Sequence, residues 1–166
     1  MEEQTFPGSV YGEITIEGTK KLIEIFNKDF KNTDGVFYDL GSGNGDLCIN
    51  ISMLTKISKV FGIELHKERY NTSVESLSKT NLKNITFLNC DFLDVDISDA
   101  TIVFFANEGI PREISNKVWD MIPKGCLFIC GRRCRAIENR GKYFKTENIE
   151  KTYTKTRGNW YTIKGG

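Results

Sequence analysis

Apolar positions along the chain recur first at helical spacing and then in short unbroken runs. Residues 16–30 carry Leu22, Phe26 and other apolar side chains on one helix face, which predicts a helix there. The run at residues 36–40 is apolar, β-branched and aromatic, and a glycine follows it, so it predicts a buried strand. Residues 101–105 are apolar almost throughout and predict a central strand that is covered on both faces.

Helices and strands alternate over most of the remaining chain. Periodicity predicts helices over residues 45–57, 66–80 and 111–121, and strands over residues 59–64, 84–88 and 126–130. This alternation is typical of a parallel α/β sheet with right-handed crossovers. Two final strand-like runs, residues 149–155 and 159–164, flank Arg157-Gly158, a tight-turn signature. We therefore predict one domain over residues 1–166, with a doubly wound, mostly parallel sheet that ends in an antiparallel β-hairpin at residues 149–164.

Composition narrows the class of protein. The 166 residues are 39% hydrophobic and 27% charged, as in ordinary globular domains, and the net charge is +1. No apolar run approaches the roughly 20 residues of a membrane span. The start of the chain is acidic and lacks the layout of a signal peptide. Five cysteines without a CxxC pair, and a single histidine, His66, predict reduced thiols and no metal site. We expect an intracellular protein, with cytoplasm and nucleus not distinguished.

A glycine-rich turn follows the strand at residues 36–40. The segment 39–45 reads D-L-G-S-G-N-G, and Asp46 stands where a dinucleotide fingerprint needs a small residue. The turn also lacks the GK[ST] sequence of a P-loop, so both phosphate-binding readings fail. What remains is a loop for the methionine end of S-adenosylmethionine, whose ammonium and sulfonium favour a carboxylate. The predicted loop contacts are Asp39, Gly41, Ser42, Gly43 and Gly45.

Acids end each of the first three predicted strands. Asp39 lies near the end of the first strand, Glu64 ends the second and Asp91 follows the third, so all three lie at the carboxyl edge where ligands bind in such sheets. Glu64 can accept the hydroxyls of a ribose, with Leu65 beside it. Asp91 and Phe92 can hold the amine and the ring face of an adenine. Each acid alone is explained by helix capping or by a solvated loop, but together they predict a cofactor site for S-adenosylmethionine.

Several motifs in the chain resemble one known family. They are VYGEIT at residues 10–15, FYDLGSGNG at 37–45, GIEL at 62–65, CDF at 90–92 and ATIVFFAN at 100–107. Together they are similar to the disruptor-of-telomeric-silencing family of histone lysine methyltransferases, and most to its short, protist-type relatives. The YGE-x-T loop is the specific motif, and the resemblance covers nearly the whole chain. It implies the Rossmann-like class I methyltransferase fold and S-adenosylmethionine as methyl donor, with S-adenosylhomocysteine as product.

The resemblance also assigns residues to roles. It implies that the N-terminal loop, residues 1–15, folds over the methionine portion of the cofactor through Tyr11, Gly12, Glu13 and Thr15. It implies that Asn107 contacts the cofactor beside the transferred methyl group, which makes Asn107 and Tyr11 the catalytic residues.

The same resemblance predicts a channel for a lysine side chain. Its mouth lies at Asn107, and Glu108, Trp160 and Tyr161 line it. Because neighbouring side chains on a strand face opposite sides, only one of Trp160 and Tyr161 is expected to reach the channel.

The chain departs from this family at two places, which leaves the methyl acceptor open. Residues 108–111 read E-G-I-P where the family commonly has a second asparagine and aromatic residues, and the prolines of the DNA amino-methyltransferase tetrad are also missing. The long basic extension that nucleosome-binding members of the family use is not found within these 166 residues. Its nearest substitute comprises Arg132, Arg133, Arg135, Arg140, Lys142 and Lys145. We expect a protein lysine methylated by direct in-line transfer, with a solvated face favoured over nucleic-acid binding for this cluster. An RNA methyltransferase and a non-catalytic S-adenosylmethionine-binding module are the alternatives.

Overall fold

The computed structural model describes residues 14–29, 34–132, 144–145 and 160–164 of the chain. The helices are α1 (Ile16–Asp29), α2 (Asp46–Leu54), α3 (Lys67–Ser78) and α4 (Arg112–Met121), with a short 3-10 helix at Phe92–Asp94. The strands are β1 (Val36–Leu40), β2 (Lys59–Ile63), β3 (Ile85–Leu88), β4 (Ile102–Phe105), β5 (Leu127–Cys130), β6 (Phe144–Lys145) and β7 (Trp160–Ile163). None of the helices in this described part is long and apolar enough to cross a membrane.

The strands form one seven-stranded sheet in the order β3-β2-β1-β4-β5-β7-β6. The strands β1 to β5 pair in parallel, whereas β7 runs antiparallel to both of its neighbours. The predicted doubly wound, mostly parallel sheet with an antiparallel end is therefore confirmed. The chain order reverses direction between β1 and β4, which opens a crevice at the carboxyl ends of these two strands.

Predicted and observed element bounds differ by a few residues at most helix ends. The predicted helix over residues 45–57 ends at Leu54, because Thr55 takes an extended backbone and its hydroxyl donates to the carbonyl of Ile51 at 2.6 Å. A short side-chain donor of this kind competes with the next helical turn. The spacing of apolar residues in the sequence gives no sign of this competing hydrogen bond.

The described residues show part of the antiparallel end of the sheet. The strand β7 pairs on its outer side with β6, with Phe144 opposite Tyr161 and Lys145 opposite Trp160. The predicted partner strand at residues 149–155 and the Arg157-Gly158 turn lie outside the described residues. The bounds of the predicted hairpin, residues 149–164, therefore stay a prediction. That the chain forms a single domain over residues 1–166 stays a prediction.

Two apolar layers cover the two faces of the sheet. Alternation along β1 sends Phe37 to the layer formed with α1 and α2, where it packs with Leu22 and Ile51. The next side chain, Tyr38, enters the opposite layer, which α4 closes with Trp119. All four residues of β4 are buried, which confirms the prediction of a central strand covered on both faces. The sheet is thus a rigid support for the loops at its carboxyl edge.

Candidate functional site

The glycine loop between β1 and α2 is held against the end of β2. Gly41, Gly43 and Gly45 have φ angles of 88°, 57° and 85°, which side chains other than glycine rarely adopt. The backbone amides of Gly41 and Ser42 both donate to the carbonyl of Ile63, at 2.8 and 2.9 Å. The loop therefore bends sharply while it remains fixed to the sheet edge.

A strand glycine that sequence reasoning missed makes room for this loop. A Cβ on Gly62 would lie 2.9 Å from the Cβ of Ser42 and 2.6 Å from the ring of Phe87. The Ser42 hydroxyl is buried and has no hydrogen-bond partner among the described residues. A buried polar atom of this kind suits a ligand contact. The available signal was a glycine in the interior of a strand, which often marks close backbone approach.

Asp39 lies buried near the end of β1, two residues before Gly41 of the glycine loop. Its side chain is 3% exposed, and the Cys48 thiol lies 4.0 Å from its Oδ2 atom. Burial, reinforced by the charge of Asp39, raises the pKa of Cys48 well above its usual range. The thiol is therefore protonated at neutral pH and serves as a weak donor to the carboxylate.

Glu64 is the second buried acid at this edge, and it directly follows β2. The residue is 5% exposed, and its Oε1 atom lies 3.6 Å from a guanidinium nitrogen of Arg69. Burial raises the pKa of Glu64 above its ordinary value, and Arg69 and His66 only partly offset that effect. Ionisation of a partly desolvated carboxylate is unfavourable. Hydroxyl groups of a ligand that donate hydrogen bonds to it would stabilise its charged form.

Asn89 orients the segment that carries Glu64. Its side-chain amide donates to the carbonyls of Glu64 and Leu65, at 2.9 and 3.0 Å. Leu65 is 49% exposed, so it presents an apolar side chain beside a buried carboxylate. Sequence reasoning missed Asn89, although it follows β3 at the same sheet edge as the acids.

Asp91 differs from the other two acids. It is exposed, and its Oδ1 atom accepts the amide of Leu93 at 2.9 Å, which caps the 3-10 helix. Phe92 is half-buried, with its ring edge-on to Phe105 and a centroid separation of 5.3 Å. Asp91 and Phe92 do lie at the carboxyl edge beyond β3. Their predicted contact with an adenine stays a prediction.

The amide of Asn107 is engaged with backbone beyond β5. Its Nδ2 atom donates to the carbonyl of Arg132 at 2.8 Å and to the Ser115 hydroxyl at 3.3 Å, and its Oδ1 atom accepts the Arg132 amide at 2.6 Å. We name this two-point contact the Asn107 clamp. The catalytic role that the resemblance assigns to Asn107 stays a prediction.

Glu108 is the third buried carboxylate at this edge. It follows Asn107 and is 6% exposed. A Cβ built on Gly131 would overlap its carboxyl carbon and both of its oxygens almost equally, so the carboxylate plane faces the Cα of Gly131. The resemblance predicted Glu108 in the channel, but nothing in the sequence pointed to Gly131. Position 131 requires glycine because a larger side chain would overlap the Glu108 carboxylate.

The remaining predicted site residues divide between described and undescribed parts of the chain. Thr15 precedes α1, and its hydroxyl accepts the amide of Gly18 at 3.2 Å, as in a helix cap. Its predicted cofactor contact stays a prediction. Tyr11, Gly12 and Glu13 lie outside the described residues.

The two aromatic residues of β7 pack on opposite faces of the sheet. Trp160 packs with the layer closed by α4, and Tyr161 packs with the layer of α1 and α2. Trp160 pairs with Cys130 at the end of β5, on the side of the sheet edge where Glu108 and Asn107 lie. The expectation that these side chains face opposite sides is confirmed, and their place in a channel stays a prediction.

The described part of the chain contains no group of three or more His, Cys, Asp or Glu residues that could hold a metal ion. Burial also raises the pKa of Cys126 to about 12, which leaves it protonated and unsuited to metal ligation at neutral pH. Of the basic cluster, only Arg132 and the backbone of Lys145 are described. The remaining four basic residues lie outside the described part.

Comparison with known proteins gives one family match and many structural likenesses. Residues 2–162 match the family described as histone methylation protein DOT1. A protein-lysine N-methyltransferase of Saccharolobus islandicus is 31% identical over 71 residues, which cover 42% of this chain. The same match covers 44% of that relative, so it spans less than half of its length.

Two solved structures illustrate the structural likeness. The tRNA (m1A58) methyltransferase TrmI from Aquifex aeolicus has a TM-score of 0.67 at 21% identity and covers 100% of this chain and 73% of its own. An RNA methyltransferase from Salinibacter ruber, solved with S-adenosylhomocysteine, has a TM-score of 0.66 at 15% identity, over 87% and 90% of the two chains. At these identities the likeness concerns the fold, which is the Rossmann-like fold of class I methyltransferases.

Two loop glycines with nearly equal φ angles separate backbone strain from steric overlap. A Cβ at Gly41 meets nothing within 4 Å, whereas one at Gly45 meets the ring of Phe87 at 2.6 Å and Ser73 at 2.8 Å. We expect Gly41→Ala to lower the free energy of unfolding by about 1–2 kcal/mol through backbone strain alone. Gly45→Ala should lower it by a further 1–3 kcal/mol or so through overpacking. Urea unfolding measures both, and equal losses in the two variants would contradict the loop packing.

The buried charge of Glu64 predicts a pH-dependent stability effect. A raised pKa means that the folded chain binds the proton more tightly, so stability falls as pH rises from the ordinary glutamate value through the raised one. In the absence of any ligand, Glu64→Gln should therefore raise the melting temperature at pH 7. The gain should vanish near pH 4, about where a free glutamate is protonated.

The exposed Glu68, on the first turn of α3, provides the matched control. Glu68→Gln should leave the melting temperature nearly unchanged at both pH values. A Glu64→Gln protein that melts below the wild type at pH 7 would show that the pairing with Arg69 outweighs the cost of burial.

Proposed function

The chain belongs to the histone methylation protein DOT1 family, and from that premise we propose that it is an S-adenosylmethionine-dependent methyltransferase acting on a protein lysine. The observation that carries the proposal is the pair of buried carboxylates, Asp39 and Glu64, on either side of a loop with three left-handed glycines. Such acids at the carboxyl edge of a doubly wound sheet suit a ligand that bears positive charge and hydroxyl groups but no phosphate.

The residues at the edge fit S-adenosylmethionine part by part. Asp39 would face the ammonium and sulfonium charges, and the glycine loop would allow the backbone to approach them. Glu64 would accept the ribose hydroxyls, because it is buried and oriented by Asn89. Leu65 and Phe92 offer apolar surface for the adenine ring. The Ser42 hydroxyl, which has no hydrogen-bond partner within the described part of the chain, would supply a further polar contact within the loop.

S-adenosylmethionine, when bound, supplies a methyl group on a positively charged sulfur. The protein's part in such a transfer is to hold donor and acceptor in line, which can account for most of the acceleration. A lysine acceptor must first lose its proton, and its ordinary pKa is about 10.4. Apolar surroundings disfavour the charged amine, and the buried Phe105 at the end of β4 would contribute to such surroundings.

The identity of the acceptor is supported by the family match and by the Saccharolobus relative, which is a protein-lysine N-methyltransferase. Incubation of the purified chain with methyl-labelled S-adenosylmethionine and either core histones, total protein or total RNA tests it. We expect label in protein, released as methyl-lysine on acid hydrolysis. Label in RNA alone would replace the proposal with an RNA methyltransferase. Cofactor binding without transfer to any of these would indicate a non-catalytic module.

Removing the charge of Glu64 should weaken cofactor binding. Hydrogen bonds to a charged group contribute about 1.5–3 kcal/mol, so Glu64→Gln should raise the Kd for S-adenosylmethionine by about 10- to 100-fold in calorimetry. Glu68→Gln should leave the Kd within about twofold, since its side chain is exposed. An unchanged Kd in the Glu64→Gln protein would remove this acid from the cofactor site.

A further inference from the structure

We infer that Asn89 is a positioning residue for the cofactor, which fixes the backbone at residues 64–65 and thereby holds the Glu64 carboxylate in its ribose-binding orientation. This inference rests on the proposed function and adds to it a residue that acts without touching the cofactor. Its basis is a pair of hydrogen bonds. The Asn89 side chain follows β3 and donates to two consecutive carbonyls just beyond the end of β2.

The carbonyl of Leu65 departs from the strand pattern of β2. In a parallel sheet, the polar backbone groups of successive residues on an inner strand point alternately to its two neighbours. The Ile63 carbonyl points to the β1 side, where it accepts the two loop amides, and the Glu64 amide donates to the last residue of β3 at 3.0 Å. A continued strand would direct the Leu65 carbonyl back to the β1 side. It accepts instead from Asn89, on the β3 side, at 3.0 Å.

One peptide group connects this contact with the Glu64 side chain. The unit between Glu64 and Leu65 is planar and trans, so its carbonyl and its N–H point in opposite directions. Asn89 donates to the carbonyl at 2.9 Å. Burial raises the pKa of Glu64, and the Leu65 N–H, as a donor to the carboxylate, is one of the groups that partly offset this rise. Asn89 therefore orients a donor that helps to hold the carboxylate.

The Glu64 carboxylate depends on such backbone support. It belongs to a residue that is only 5% exposed, and the described residues provide its Oε1 atom with no hydrogen-bond partner. The guanidinium of Arg69 lies 3.6 Å away, which is too long for a hydrogen bond. Burial does not by itself set the direction of a carboxylate, whereas accepting ribose hydroxyls requires its oxygens to be placed accurately.

The place of Asn89 in the chain also links two parts of the proposed cofactor site. Asn89 lies two residues before Asp91, which caps the 3-10 helix that begins at Phe92. These two residues are the proposed contacts for the adenine. One side chain thus joins the segment proposed for the ribose to the segment proposed for the adenine, and an adenosyl group would have to fit both at once.

Calorimetry with S-adenosylmethionine on variants of Asn89 tests the inference. Asn89→Ala removes both donors and should raise the Kd by about 5- to 20-fold, since water replaces only part of the lost support. Asn89→Asp keeps the size of the side chain but places a carboxylate against two carbonyl oxygens, so it should raise the Kd at least as much. Asn81→Ala, at an exposed asparagine that precedes β3, should leave the Kd within about twofold.

A double-mutant cycle with Glu64→Gln separates positioning from general support of the fold. If Asn89 acts through the Glu64 carboxylate, Asn89→Ala in the Glu64→Gln background should change the Kd by no more than about twofold. A residue that only supports the loop would weaken binding by the same factor in both backgrounds. Circular dichroism melting curves confirm that each variant is folded.

The outcomes distinguish this inference from the proposed function. The inference alone is overturned if the wild type binds S-adenosylmethionine and either folded Asn89 variant binds it equally well. Equal losses in the two backgrounds of the cycle also overturn it, because Asn89 would then act independently of Glu64. A wild-type chain without measurable affinity for S-adenosylmethionine refutes the proposed function, and the inference with it. The measurement needs no methyl acceptor, so it does not depend on finding the substrate.

Discussion

Two neighbouring amides of the glycine loop, those of Gly41 and Ser42, donate to the single carbonyl of Ile63, and the rest of the candidate site depends on this contact. It ties the end of β1 to the end of β2 at the point where both strands finish. Asp39 precedes this loop by two residues, and Glu64 follows the shared carbonyl by one residue. Gly62 permits the contact, since a side chain there would meet Ser42. Backbone geometry, more than any single side chain, therefore brings the two acids together.

One of the acids that this contact brings to the edge, Glu64, is unfavourable for the ligand-free fold. Burial of a carboxylate is unfavourable unless partners compensate for the lost water, and Glu64 is nearly buried. Burial raises the pKa of Glu64 more than its pairing with Arg69 lowers it. The ionised Glu64 side chain therefore lowers the stability of the ligand-free fold. A ligand that donates hydrogen bonds to this carboxylate would offset that cost, which is consistent with the methyl donor that we propose.

The two sides of the crevice are constructed by different means. On the β1 side, glycines adopt left-handed backbone conformations, and the described residues offer no hydrogen-bond partner to the buried Ser42 hydroxyl. On the β4 side, the Asn107 amide satisfies the backbone of Arg132 and extends the pairing of two parallel strands. The first arrangement suits close approach to a ligand, and the second suits rigid support. This difference accords with a cofactor on one side and an acceptor on the other.

Local patterns in the chain were sufficient to predict the approximate positions of the strands and helices and the parallel sheet. They also predicted the glycine loop, with Asp39 and Glu64 at the same sheet edge. These features follow from periodicity and from residues next to one another in the chain. Burial and pairing of polar groups depend instead on which distant segments meet. Only the folded chain shows that Asp91 is an exposed cap and that Asn107 holds the Arg132 backbone. The contact of Glu108 with Gly131 is likewise shown only by the folded chain. Position 131 requires glycine because Glu108 lies against it, and Glu108 is distant from it in the sequence.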